Sequence, residues 1–216
     1  MEIKVSQDVK NTPVEVLVIN QFEGEKTSQE LANIYAVEKD RFEGKFGQTY
    51  LMHTLGKIPA DKILVVGFGK KEEFDHNRMR EAVAKSVKKL QQIKAKKAAF
   101  DFDVNADYGK SAAIGAMIAD YAYDKFKSDK AHHLEEITFA KFSESDVKEG
   151  IIFGEAMKFT RDLANTPAQI ATPSNLQKIW KVLKQKYSIK KKLKEWEWEL
   201  IWQSDREAFS RPNLYI

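Results

Sequence analysis

Four consecutive apolar residues, Ile63-Leu64-Val65-Val66, stand between Lys62 and Gly67. A run this short and this apolar predicts a strand with both faces covered. Gly67-Phe68-Gly69-Lys70 comes next, then a helix from about Asn77 to Ile93. Met79, Val83, Val87 and Leu90 mark its inner face at helical spacing. Ala98 to Phe102 reads as the next strand. Strand, helix and strand in this order predict parallel strands joined by a right-handed crossover. Such a unit belongs to an α/β fold, a three-layer sandwich with a mixed, mostly parallel sheet.

The remaining pattern extends this scheme. Ile3 and Val5 alternate with polar residues, as a half-buried strand does. Val14 to Ile19 is a denser run and predicts a more buried strand. Ser28 precedes Leu31, Ile34 and Tyr35, a short capped helix. Gln48 to Leu55 predicts a strand, and Gly56 and Pro59 punctuate the stretch before Lys62. A second long helix is predicted from about Tyr108 to Phe126, and Ile137 to Phe142 as a strand. A third helix is predicted to begin near Asp146, where Asp146 and Glu149 have capping-box spacing. It is expected to carry Ile152, Ala156 and Phe159 inward. Thr172 as N-cap and Pro173 at the first position open a fourth helix, expected to reach Tyr187.

Composition bounds the function classes. Of 216 residues, 43% are hydrophobic and 31% charged, a globular balance. There are no cysteines, which excludes disulfides, thiolate chemistry and Cys-ligated metals. No stretch is apolar for the ~20 residues of a membrane span. Met1-Glu2-Ile3-Lys4-Val5 lacks the plan of a signal peptide, and a cytoplasmic location is expected. The net charge of +4 is uneven. Lys178, Lys181, Lys184, Lys186, Lys190, Lys191, Lys192 and Lys194 crowd one stretch. A solvated helix face is the plainer reading, and contact with nucleic acid or an anionic membrane is the alternative.

Candidate chemistry is sparse. Gly67-Phe68-Gly69 invites a dinucleotide reading, but Glu72 stands where the third glycine is required, so a tight strand-to-helix turn is favoured. His53, His76 and the adjacent His132 and His133 have no ligand spacing that matches a metal site, and they read as solvated loop histidines. Asp101 and Asp103 alternate at a strand end and could be paired acids, with capping or exposure the plainer reading. Arg161-Asp162-Leu163-Ala164-Asn165-Thr166-Pro167 clusters polar residues at a helix end before a proline. Such a cluster ties a helix terminus to a neighbour and reads as a hinge or domain junction.

That junction, extended as RDLANTPAQIATP from Arg161 to Pro173, resembles the interdomain segment of leucine aminopeptidases, the cytosol aminopeptidase family. KILVVGFGKKEEF, Lys62 to Phe74, resembles the amino-terminal strand-loop-helix of that family. DYAYDKFKS, Asp120 to Ser128, resembles its aromatic segment, with Tyr123 and Phe126 as aromatic exchanges. The resemblance covers roughly Met1 to Ile189. It implies an amino-terminal domain similar to macro domains, a linking helix, and a larger catalytic domain holding two divalent metal ions, Mn or Zn. It also implies hexamers that remove N-terminal residues from peptides. The family's metal ligands, catalytic lysine and catalytic arginine lie in that second domain. No position here matches them, so no catalytic, cofactor-binding or metal residue is assigned, and the chain is expected to be inactive by itself.

The end of the chain differs in kind. Trp196, Trp198 and Trp202 fall in it without a helix or strand pattern. Trp has one codon and Glu two closely related ones. In the frame that begins at the third base of the Glu195 codon, each Trp-Glu junction therefore forces glycine. Continued through Arg206, that frame permits MGMGAYLAVGQG, which resembles the family's segment at the start of the catalytic domain. A frameshift between about Ser188 and Glu195 is inferred. The expected division is residues 1–145 as the macro-like domain, 146–189 as linker helices and the start of the catalytic domain, and 190–216 as a non-native tail. Two other readings stay open: a macro-like module that binds nucleotide or nucleic acid, and a chain without function.

Overall fold

The computed structural model describes residues 1–9, 12–25 and 42–186. The helix expected after Ser28 and the Trp-rich tail lie outside them. Six strands form one sheet: β1 (Glu2–Ser6), β2 (Val16–Phe22), β3 (Thr49–His53), β4 (Lys62–Gly69), β5 (Lys97–Asp101) and β6 (Glu136–Ala140). Their order is β1-β6-β5-β2-β4-β3. All neighbours pair in parallel except β3, which runs antiparallel to β4 at one edge. Among the described residues four α-helices accompany them: α1 (His76–Gln92), α2 (Gly109–Asp120), α3 (Glu144–Asn165) and α4 (Pro173–Lys186). The α/β class and the mixed, mostly parallel sheet agree with the sequence reading.

The pleat sorts each strand into two faces. Val16 and Val18 of β2, Leu64 and Val66 of β4, Phe100 of β5, and Ile137 and Phe139 of β6 share one core. Met79, Val83, Val87 and Leu90 of α1 enter the same core, as do Ala112, Ala113 and Ala116 of α2. The four α1 residues are those expected from the spacing. The other face carries Leu17, Ile19, Ile63, Val65, Ala99 and Ala140, packed with Val9, Phe42 and Ala60. Each fully buried Val, Leu or Phe contributes about 1.5–3 kcal/mol, so burial on both sides makes β2 and β4 the anchor of the domain.

Local signals place the helices. Asp75 caps α1 by accepting the Arg78 backbone N–H at 2.8 Å. That bond holds the Asp75 carboxyl below the usual carboxylate range. At the other end Ala95 N–H donates to Leu90 and Lys94 N–H to Gln91, with Lys94 at φ 56°, a Schellman closure with lysine where glycine is commonest. Thr172 caps α4 through Asn175 N–H at 3.3 Å, as expected.

β4 and β5 are parallel, as expected, with β2 between them. Three other expectations are corrected. The second helix ends at Asp120 and not near Phe126, because the Asp120 carboxylate is drawn into the protein and Tyr121 turns to extended backbone. The third helix begins at Glu144, which places Asp146 and Glu149 inside it and removes the capping box. Its inward face is also different: Val147, Gly150 and Gly154 are buried, whereas Ile152, Ala156 and Phe159 are exposed. The glycines decide this. A Cβ on Gly150 would lie 2.5 Å from the Lys110 carbonyl oxygen, and one on Gly154 would lie 2.4 Å from Met117 Cβ. The backbone of α3 therefore sits on α2 more closely than bulky side chains allow.

The chain divides into two units, residues 1–159 and 160–216.

Candidate functional site

The glycines after the apolar run of β4 serve backbone packing. β4 continues through Gly69, so both glycines belong to the strand and the turn comes later. A Cβ on Gly67 would lie 2.1 Å from the Lys45 carbonyl oxygen. Gly67 N–H donates to Gln48, Gly47 N–H donates to Gly67, and Gly69 N–H donates to Gly44. These amides already have backbone partners, which removes the donors a phosphate would need.

His53, His76 and His133 are exposed, in keeping with their reading as solvated, and His132 is half-buried; the last three also have partners in the fold. His76 Nδ1 lies 3.1 Å from Ser111 Oγ and its ring rests against Tyr108. His132 Nε2 lies 2.8 Å from the Ala95 carbonyl oxygen. His133 Nδ1 lies 3.2 Å from Asp120 Oδ1. Asp101 is buried, and its Oδ1 lies 2.6 Å from Lys141 Nζ at the end of β6. Asp103 is exposed, and its backbone N–H donates to Asn20 Oδ1. Asp101 is therefore half of a structural ion pair, not of a carboxylate pair. Among the described residues no three His, Asp or Glu side chains are grouped to hold a metal ion.

Asp120 is a buried polar group with several partners, which the sequence pattern alone places in the middle of a helix. Its side chain is 4% exposed. Oδ1 accepts from Gln91 Nε2 of α1 at 3.2 Å and faces His133, while Oδ2 lies 3.6 Å from Lys158 Nζ of α3. One buried carboxylate thus links α1, the C-terminus of α2, the loop before β6, and α3. A buried charge tolerates this position only with such partners. No local signal marks it, because its partners come from three separate segments.

Asp120 and the two glycines fix the seat of α3. Lys158, Gly154, Gly150 and Val147 face inward, and Ile152, Phe153, Ala156, Met157 and Phe159 are left outside. The polar run from Arg161 begins just past the division at residue 159. Within it Thr166 Oγ1 donates to the Asp162 carbonyl oxygen at 2.6 Å and closes the end of α3.

Residues 5–130 match the cytosol aminopeptidase family, N-terminal domain. The probable cytosol aminopeptidase of Pseudomonas fluorescens (strain Pf0-1) is 34% identical over 195 residues, covering 80% of this chain and 39% of that protein. That of Aquifex aeolicus (strain VF5) is 29% identical over 163 residues, covering 72% of this chain and 33% of that protein. The fold is similar to a tomato leucine aminopeptidase mutant, with TM-score 0.69, 18% identity, and coverage of 87% of this chain and 43% of that one. It is also similar to the bottromycin maturation enzyme BotP in complex with Mn, with TM-score 0.67, 23% identity, and coverage of 80% and 36%. The chain spans under half the length of these relatives.

Proposed function

This chain belongs to the cytosol aminopeptidase family, whose N-terminal domain it matches, and from that premise we propose that it is the non-catalytic part of a metal-dependent leucyl aminopeptidase. In this reading the parent removes N-terminal residues from peptides, in the cytoplasm and as a hexamer. The part present here contributes to assembly and to control of access. The observation that carries the reading is the match over residues 5–130, joined to a span of only 33% to 39% of the two bacterial relatives.

Two-metal hydrolysis requires ligands that hold the ions a few ångströms apart. The described residues do not fit that requirement, since none of their carboxylates and histidines form such a group. No hydrolytic step is therefore assigned to a residue of this chain. In this reading the divalent ions, Mn or Zn, belong to the remainder of the parent, and the chain turns over no peptide.

The Trp-rich tail fits the same account as translated out of frame. Sequencing the gene across the codons for Tyr187 to Arg206 and downstream tests both proposals. The expected result is an open frame that resumes with Gly-Gln-Gly and continues into a metal-ligand domain. A confirmed frame without any such domain downstream would remove the aminopeptidase reading for this locus.

A further inference from the structure

The sheet has an open edge at β1. Glu2 N–H donates to the Glu135 carbonyl oxygen at 2.8 Å, and Lys141 N–H donates to the Ser6 carbonyl oxygen at 3.4 Å. Backbone groups alternate along a strand, so Glu2, Lys4 and Ser6 turn theirs toward β6, in the register that sets Glu2 beside Glu136. Ile3 and Val5 turn theirs away. Among the described residues no strand pairs with that side of β1. An open row of donors and acceptors is a template for a further strand.

The side chains point to which strand fits. Met1, Ile3 and Val5 lie on the face of the main core and are only partly buried against it. Glu2 and Lys4 are exposed on the other face, 3.2 Å apart, and Lys4 also reaches Glu136 at 2.6 Å. A lysine on an edge strand ordinarily guards against pairing. Here an acid stands two places before it, so the edge is complementary to its own reverse. Antiparallel pairing centred on Ile3 sets that residue opposite Ile3 of a second copy, and sets each Glu2 opposite the other copy's Lys4. The backbone agrees with this register. Ile3 offers both its N–H and its C=O outward, as the hydrogen-bonded pair at the centre requires. Glu2 and Lys4 then form the non-hydrogen-bonded pairs, in which side chains approach most closely. On the core face Ile3 lies beside Ile137 of β6, so the apolar row runs on from one copy into the next.

We propose that β1 pairs antiparallel with β1 of a second copy, centred on Ile3, and joins the two sheets across a two-fold axis. The proposal uses only β1 and β6. It needs no part of the aminopeptidase reading and is tested apart from it.

A single strand pair is a small interface, so the dimer is expected at high micromolar concentration. Sedimentation equilibrium of the purified chain is expected to show a mass that rises from 24.8 kDa toward twice that value as concentration increases. A chain that stays monomeric would overturn the proposal, whatever else its edge binds. Glu2→Lys and Lys4→Glu each give the edge charges of one sign. Each variant alone is expected to weaken the dimer at least about tenfold. An equimolar mixture of the two sets opposite charges against each other again at both positions, and is expected to regain the dimer. Single variants that dimerise as tightly as the parent would place the interface elsewhere, the Trp-rich end included, and overturn the proposal. Weakened single variants whose mixture stays weak would contradict the register and also overturn it. Circular dichroism checks that each variant keeps the fold. Should Lys4→Glu fail that check, Ile3→Pro takes the place of both. It removes an outward N–H and none that bonds β6, as a proline on an edge strand does, and is expected to abolish the dimer. A dimer that survives Ile3→Pro would refute the pairing, and the measurement on the parent chain keeps its power to do so whichever variant folds.

Discussion

Gly67 is glycine because the backbone of Lys45 passes where a side chain would sit. Gly67→Ala is expected to lower stability by about 1–3 kcal/mol, as overpacking a tight core does, with the loss read in urea unfolding. In the sequence the glycine pair reads as a tight strand-to-helix turn, and Lys45 is invisible as its neighbour because segment and strand meet only through the sheet. Asp75 shows the opposite case, since a cap is a local device and its partner Arg78 lies three residues on. Its carboxyl is held below the ordinary value of 3.8. The contribution is therefore complete above that ordinary value and is lost as pH falls through the lowered one. Asp75→Asn is expected to flatten this part of the acid-unfolding profile; an unaltered profile would count against the charged cap. The histidines are less legible. His76 meets Ser111 and His132 meets Ala95, partners 35 and 37 residues away.

At the scale of elements, periodicity identifies what is buried but not always against what. β4 and α1 are legible because each is an uninterrupted local pattern, β4 buried on both faces of the sheet and α1 along one stripe. α3 is not, because it carries two candidate faces, one of large apolar residues and one of glycines. Burial of the large residues is the ordinary expectation, and close packing through Gly150 and Gly154 overrides it. Two substitutions separate these faces. Gly154→Val is expected to cost about 1–3 kcal/mol by forcing α3 away from Met117. Ile152→Ser, on the outward face, is expected to stay within about 0.5 kcal/mol of the parent chain. Urea unfolding of both variants checks the assignment, and a large loss from Ile152→Ser would show that the outward face is covered within the chain.

For the whole molecule, the class of fold is legible in the sequence and its strand order is not. Alternating strands and helices predict parallel pairing, yet nothing local says that β2 separates β4 from β5. Family membership is legible through short motifs because the junction after α3 and the strand-loop-helix at β4 are local in sequence. The candidate site is barely legible. The surroundings of Asp120 are assembled from α1, α2, α3 and a loop, and the outward face of α3 is a consequence of how that helix is seated.

The central claim is that this chain is the non-catalytic portion of a metal-dependent aminopeptidase. Its most direct test is hydrolysis of leucine p-nitroanilide by the purified chain, with Mn²⁺ or Zn²⁺ added in excess. The account predicts a rate equal to that of the metal and buffer alone. Metal-dependent turnover that scales with the concentration of the chain would contradict it.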